Sequence, residues 1–241
     1  CEKAIIVKTG SDASTLSIRI ARSFTNKEKI LRCGYHGWHD WCVEEKEGIP
    51  KNSYKDVLEF NYNDLDNLEK LFKSYKNEVA AVIMQPIYTP LVKEVQFPKD
   101  DYLTEVKKMC ENYKSLLIFD EIRSGFRVNL GGAQKEYNVT PDLTLLGKAM
   151  ANGYPISAVV GKKDIMNVAS HKVFVSSTFF PNSLEQIAAI KTIDFLIKNK
   201  VFEDIKNKGN TFSKEIRNFI ESNNINCNFS GYPWMPFISF N

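Results

Sequence analysis

The chain lacks most of the features that mark a specialised protein. No apolar run approaches the ~18 residues needed to cross a bilayer. No basic stretch leads into the short apolar core and small-residue cleavage site of a signal peptide, so a cytoplasmic protein is expected. The five cysteines (Cys1, Cys33, Cys42, Cys110, Cys227) are odd in number and none shows C-x-x-C spacing. A disulfide framework is therefore not expected, and reduced thiols are. Excess charge is also missing: 32 basic residues against 29 acidic ones leave +3, too little to point to a nucleic-acid partner. Only three histidines are present, His36, His39 and His171. His36 and His39 with Asp40 are the one arrangement open to a metal, and no further ligands cluster near them, so no metal is expected. There is no repeat, no low-complexity segment and no G-x-G-x-x-G.

What remains is an ordinary globular composition, 43% hydrophobic and 25% charged over 241 residues. Apolar, β-branched runs alternate with amphipathic stretches. The runs are Ala4–Val7, Lys29–Cys33, Val79–Met84, Ser115–Phe119, Leu143–Leu146 and Ile156–Val160. They read as strands buried on both faces. Helical spacing appears over Asp12–Phe24, Asp64–Tyr75, Tyr102–Tyr113, Leu184–Asn199 and Val201–Ser222. This alternation predicts a three-layer α/β/α sandwich around a mostly parallel central sheet. A boundary is expected near Asn207–Asn210, dividing residues 1–206 from the beginning of a small C-terminal α/β domain over 207–241. The apolar segment Tyr232–Phe240 is expected to have no pairing partner within the chain. Residue 1 is Cys, not Met, and Cys1–Lys8 already reads as a strand, so the sequence is expected to begin inside a fold.

In open α/β sheets ligands bind beyond the carboxyl ends of the strands. Thr9-Gly10-Ser11-Asp12 follows the first strand and opens a helix. Free N–H groups and the dipole there suit a phosphate, and capping by Ser11 or Asp12 is the plain alternative. Gly34–Trp41 follows the second strand with Tyr35, His36, Trp38, His39 and Trp41, either a stacking platform for a flat ring or a packed loop. Asp120 ends an apolar run and needs a cation or strong donor. Pairing with Arg123 or Arg127 would satisfy it without a function. Lys148 ends another apolar run, and desolvation there would make it a nucleophile unless it reaches solvent. Taken together, a phosphate cradle, a ring platform, a buried Asp and a buried Lys are the parts that hold pyridoxal phosphate.

Six stretches carry a resemblance in the same order as in a known family. They are Thr9–Ala13, Tyr35–Asp40, Phe119–Arg127, Thr140–Lys148, Asn152–Pro155 and Ser176–Phe179. The chain resembles the class III aminotransferases, of pyridoxal-phosphate fold type I, a group that includes glutamate-1-semialdehyde aminomutase. The resemblance implies pyridoxal 5′-phosphate as cofactor, a small-molecule amino donor and a carbonyl acceptor. It implies Lys148 as the Schiff-base lysine and Asp120 as partner of the pyridine nitrogen. Ile122 and Tyr35 would cover the two ring faces, Gly10 and Ser11 would hold the phosphate, and His36 lies in the cofactor loop. Thr178 would reach the phosphate of a neighbouring subunit, implying a homodimer with a shared active site. Neither a nucleic-acid nor a membrane partner is expected. An aminomutase, and a cofactor-binding remnant without turnover, are the alternatives. Departures fall at Gln85-Pro86, where relatives have Glu-Pro, at Ile87–Pro90, and at Phe179-Phe180-Pro181-Asn182. The loops around His36 and Lys148 look more like members that aminate sugar precursors. The family's N-terminal segment and most of its C-terminal domain have no counterpart here, so cofactor chemistry is expected to be largely present and substrate selection largely not.

Overall fold

A computed structural model describes residues 1–90, 94–180 and 182–240. Pro181 and Asn241 lie outside the described residues. The strands are β1 (Lys3–Val7), β2 (Lys29–Cys33), β3 (Val57–Glu59), β4 (Val79–Met84), β5 (Leu116–Asp120), β6 (Leu143–Leu146), β7 (Ser157–Gly161), β8 (Cys227–Tyr232) and β9 (Met235–Phe240). The helices are α1 (Gly10–Thr25), α2 (Lys51–Tyr54), α3 (Leu65–Ser74), α4 (Tyr102–Asn112), α5 (Gly132–Glu136), α6 (Lys163–His171), α7 (Ser183–Lys198) and α8 (Val201–Ser222).

β1 to β7 form one sheet in the order β1-β7-β6-β5-β4-β2-β3. The β6-β5-β4-β2-β3 ladder is parallel, and β7 runs antiparallel to both of its neighbours. β1 therefore points the same way as the parallel strands. The central strands β4 and β5 are buried throughout, as expected of continuous apolar runs in a covered sheet. Alternation along β5 separates two cores. Leu116 and Ile118 join Leu16 and Ile20 of α1 on one face. Leu117 and Phe119 join Phe72 of α3 and Val106 of α4 on the other. The sandwich has the expected three layers.

One expectation is corrected. Tyr232–Phe240 does have a partner: β9 pairs antiparallel with β8, from Cys227 opposite Phe240 to Tyr232 opposite Met235. Met235 packs with Ile87, Val95, Val128 and Ala133, which ties this hairpin to the large sheet's loops. The polar and glycine content of Cys-Asn-Phe-Ser-Gly-Tyr hid β8 from a reading of apolar runs. In addition, α8 passes through Asn207–Asn210 without a break.

Candidate active site

The carboxyl ends of β1, β2, β4, β5 and β6 converge on one cleft of about 140 Å³. Gly10, Ser11, Tyr35, His36, Asp120, Ile122 and Lys148 all line it. Thr178 does not; it is exposed, in the loop before α7.

The N-terminus of α1 is built by a capping box. Thr9 Oγ1 accepts the Asp12 N–H at 3.1 Å, and Asp12 Oδ2 accepts the Thr9 N–H at 2.8 Å. The N-cap is thus Thr9, with Asp12 as its reciprocal partner, and not Ser11 or Asp12. The first-turn N–H groups of Gly10 and Ser11 have no intrahelical partner to bond. Ser11 Oγ accepts the Trp38 N–H at 3.3 Å, and Ser14 Oγ donates to the His36 carbonyl at 2.6 Å, so the loop after β2 is sewn to α1.

Asp120 is buried at the end of β5, and its partner is His36. His36 Nδ1 lies 2.8 Å from Asp120 Oδ2, and the Ile122 N–H donates to Oδ1 at 3.1 Å. Neither Arg123 nor Arg127 takes that place. His36 Nε2 is a buried atom with no protein partner among the described residues. His39 is engaged elsewhere, with its Nδ1 2.7 Å from Thr15 Oγ1. The two histidines therefore diverge, and no group of three or more His, Cys, Asp or Glu able to hold a metal occurs among the described residues.

Ile122 is wedged between two glycines. A Cβ at Gly10 would lie 3.3 Å from Ile122 Cγ2, and one at Gly147 would lie 3.0 Å from Ile122 Cδ1 and 2.6 Å from Ser157 Oγ. Tyr35 is exposed at the cleft, after Gly34, whose φ is +105°. Lys148 opens a 3₁₀ turn, Lys148–Met150, with a φ of +41°, a conformation that costs a non-glycine residue roughly 1–3 kcal/mol. Its side chain is exposed, not buried as expected. Its ammonium is nevertheless held below the usual lysine range. Desolvation is the main cause; Asp120 opposes it, and Arg127 and Arg123 add repulsion.

The cleft holds two further side chains that had no assigned role. Gln85, noted above only as a departure, accepts the Thr89 N–H at 3.2 Å and donates to the Tyr35 carbonyl at 3.3 Å. Arg123 also lines it. Gln85 follows β4 directly, so the rule that found the other strand-end residues finds it too.

The family model for aminotransferase class III matches residues 1–227. The chain belongs to the class III aminotransferases. It is 54% identical over 240 residues to the 3-aminobutyryl-CoA aminotransferase of Cloacimonas acidaminovorans (strain Evry), covering 100% of this chain and 58% of that one. It is 36% identical over 221 residues to a glutamate-1-semialdehyde 2,1-aminomutase of Francisella tularensis subsp. tularensis (strain WY96-3418), covering 85% and 51%. Among solved structures it superposes on the FumI protein of Sphingopyxis sp. MTA144, in its PLP internal aldimine form. The TM-score is 0.94 at 28% identity, over 98% of this chain and 57% of that one. This class III chain thus spans between half and three-fifths of the length of these relatives. The cofactor of the family is pyridoxal 5′-phosphate.

Proposed function

We propose that the chain carries the cofactor-binding part of a pyridoxal-phosphate-dependent transaminase, with Lys148 as the residue that bonds the cofactor. One observation carries the reading: Lys148 and the buried Asp120–His36 pair face a single cleft with the first turn of α1. The donor set fits the cofactor. Gly10 and Ser11 N–H groups and the positive end of a 16-residue helix suit its phosphate. The close approach of Gly37 to Ser11, with no room for a Cβ, shapes that cradle.

When bound, pyridoxal phosphate supplies the electron sink for bond breaking at the amine-bearing carbon. The protein's own residues do the rest. Asp120 holds a proton at the ring nitrogen, and His36 and the Ile122 N–H fix its carboxylate for that task. Ile122 and Tyr35, which both line the cleft, would hold the ring between them. Lys148, with its depressed pKa, gives an amine at lower pH than an ordinary lysine, first as nucleophile and then as the base that moves the proton. Thr178 serves the phosphate of the partner subunit in a homodimer, which accounts for its place outside the cleft. Residues 1–206 form the cofactor domain and 207–241 begin the small domain, with the division falling inside the continuous helix α8. The protein works in the cytoplasm; no helix among the described residues is long and apolar enough to cross a membrane.

Identity of 54% to a 3-aminobutyryl-CoA aminotransferase, over the whole chain, favours an aminoacyl thioester over a sugar precursor as substrate. The test is reconstitution with pyridoxal phosphate. Wild type becomes yellow, Lys148→Ala does not, and 3-aminobutyryl-CoA bleaches the band while glutamate-1-semialdehyde does not. A wild-type chain that takes up no pyridoxal phosphate refutes the reading. Uptake without bleaching by any amine marks a binding remnant.

A further inference from the structure

Arg123 brings to the cofactor cleft a charge that no acid among the described residues answers. It lies three residues beyond β5, is half-buried and lines the cleft together with Lys148. Two carboxylates precede it in sequence, and both are committed elsewhere. Asp120, the single acid among the residues lining the cleft, lies 2.8 Å from His36 Nδ1 and accepts the Ile122 N–H at 3.1 Å. Glu121 is outside that lining and accepts the Ala133 N–H and the Ser124 hydroxyl. The charge felt most strongly at Arg123 is another cation, Arg127, which adds to the effect of burial in pulling its pKa down. Among the described residues the Arg123 guanidinium has one partner, the Phe237 ring of β9, whose centre is 5.5 Å from Cζ. A contact of that kind uses the charge and spends none of the five N–H donors.

A guanidinium keeps its charge when buried, and its planar fork matches a carboxylate bidentately. Partial burial also raises the worth of an anion that reaches it. The cofactor's phosphate does not call on Arg123, because the Gly10 and Ser11 N–H groups and the α1 dipole already suit it. The charge of Arg123 is felt at Lys148. It helps to hold that ammonium down, together with burial and Arg127 and against Asp120. Arg123 and Lys148 line the same cleft, so one compact molecule reaches both.

We infer that Arg123 determines specificity, its guanidinium holding the carboxylate of a small amino acid or oxo acid whose amine- or oxo-bearing carbon lies at Lys148. The inference rests on the transaminase reading and adds to it the class of molecule that exchanges its amino group with the thioester.

The probes are propionate and propionamide, which are alike in shape, differ in charge and carry no amine to react. Each is titrated by calorimetry into the full chain loaded with pyridoxal phosphate, and the pH midpoint of the visible band is measured with and without the probe. Propionate binds, and propionamide binds at least about tenfold more weakly. Bound propionate moves the midpoint upward, since an anion near the Lys148 nitrogen favours its protonated form. Propionamide leaves the midpoint in place. Arg123→Gln brings propionate down to the affinity of propionamide and removes the upward movement. Each variant is compared with itself, because Arg123→Gln also changes the midpoint without a probe. Arg123→Lys keeps the charge and loses the fork, so it keeps the movement and weakens propionate by about threefold. Failure of wild type to bind propionate overturns the inference, and a guanidinium spent on the cofactor's phenolate oxygen gives that result. Equal affinity for the two probes, or an upward movement that survives in Arg123→Gln, also overturns it. If wild type takes up no pyridoxal phosphate, the transaminase reading fails and the inference with it. Uptake without an effect of propionate fails the inference alone.

Discussion

Gly37 is the tightest point between the loop after β2 and the helix that carries the proposed phosphate turn. Its φ is +109°, which side-chain-bearing residues rarely adopt. A Cβ there would lie 2.4 Å from Ser11 Oγ, 2.9 Å from Ser11 Cβ and 3.0 Å from Ser11 Cα. Rotating Ser11 relieves only the first contact, because the Cα belongs to the backbone of α1. Rotation also disturbs the bond that Ser11 Oγ accepts from the Trp38 N–H. Gly37→Ala therefore carries roughly 1–3 kcal/mol for the backbone conformation and roughly 1–3 kcal/mol for overpacking. The total, roughly 2–6 kcal/mol, is a large share of the ~5–15 kcal/mol that holds a typical domain. Urea denaturation of wild type, Gly37→Ala, Ser11→Ala and the double variant measures it. Removing Ser11 Oγ should lower the cost of Gly37→Ala by about 1 kcal/mol without abolishing it, since Ser11 Cβ and Cα remain. Pyridoxal-phosphate affinity should fall in Gly37→Ala as the loop is pushed away from α1. A Gly37→Ala variant within about 0.5 kcal/mol of wild type would show that the loop yields freely. Strict additivity in the cycle would remove Ser11 as the group that resists.

Three other outcomes are expected. Lys148 should be trapped as a reduced adduct, in a borohydride assay with pyridoxal phosphate, at lower pH than a free lysine. Arg127→Gln should move that midpoint upward, because Arg127 is one of the groups holding the Lys148 pKa down; a downward shift would contradict the assigned cause. Asp142, although burial alone would raise its pKa, is held below the ordinary carboxylate value by Lys162, the Leu117 N–H and Lys107. Its stabilisation is therefore complete above the unfolded pKa and lost as pH falls through the lower folded one. Asp142→Asn should cost about 1.5–3 kcal/mol at neutral pH, with the gap to wild type closing in acid denaturation below pH 3.8. Gly209 of α8 sits against the β8–β9 turn, where an added Cβ would lie 2.5 Å from Trp234 Cα. Gly209→Ala should speed amide exchange across Cys227–Phe240 and leave β4 and β5 unchanged. A net gain near the ~1 kcal/mol that alanine brings to a helix interior would show that the contact is slack.

The elements that the sequence displayed are those whose burial is uniform or whose spacing is regular. β4 and β5 are apolar along their length, and α8 over Val201–Ser222 keeps one face for 22 residues. β3 has only three residues at a sheet edge, β8 mixes polar with apolar positions, and α6 is a nine-residue helix whose apolar face rests on little more than Ile165 and Met166, so none of them stood out. The site was legible through one topological rule, that residues following parallel strands meet. That rule places Gly10, Ser11, Tyr35, His36, Asp120, Ile122 and Lys148 in one cleft without naming any contact between them. The His36–Asp120 bond spans 84 residues, and nothing local to either distinguishes it from the arginine pairing weighed beforehand. The exposure of Lys148 depends on the 3₁₀ turn that follows β6, which hydropathy does not encode.

The end of β5 shows why a single position matters so much here. Asp120 and Glu121 are adjacent carboxylates, and strand alternation sends them to opposite faces of the sheet. Asp120 shares its face with Ile118 and α1, so it meets His36 and the cleft. Glu121 turns the other way and is fully buried. It accepts the Ala133 N–H at 2.5 Å and the Ser124 hydroxyl at 2.9 Å, and it also takes the backbone and side-chain N–H groups of Gln134. Burial raises its pKa, and those donors pull it back. Gly132, at a φ of +72°, has no room for a Cβ because the Glu121 carboxylate would lie 2.5 Å from it. Glu121 thus holds the segment from Ser124 to Gln134 against the sheet, and that segment carries Arg127. The carboxylate that serves the cleft and the carboxylate that orders its flank differ by one residue. The two-residue period of the strand, not the chemistry of either side chain, assigns the roles.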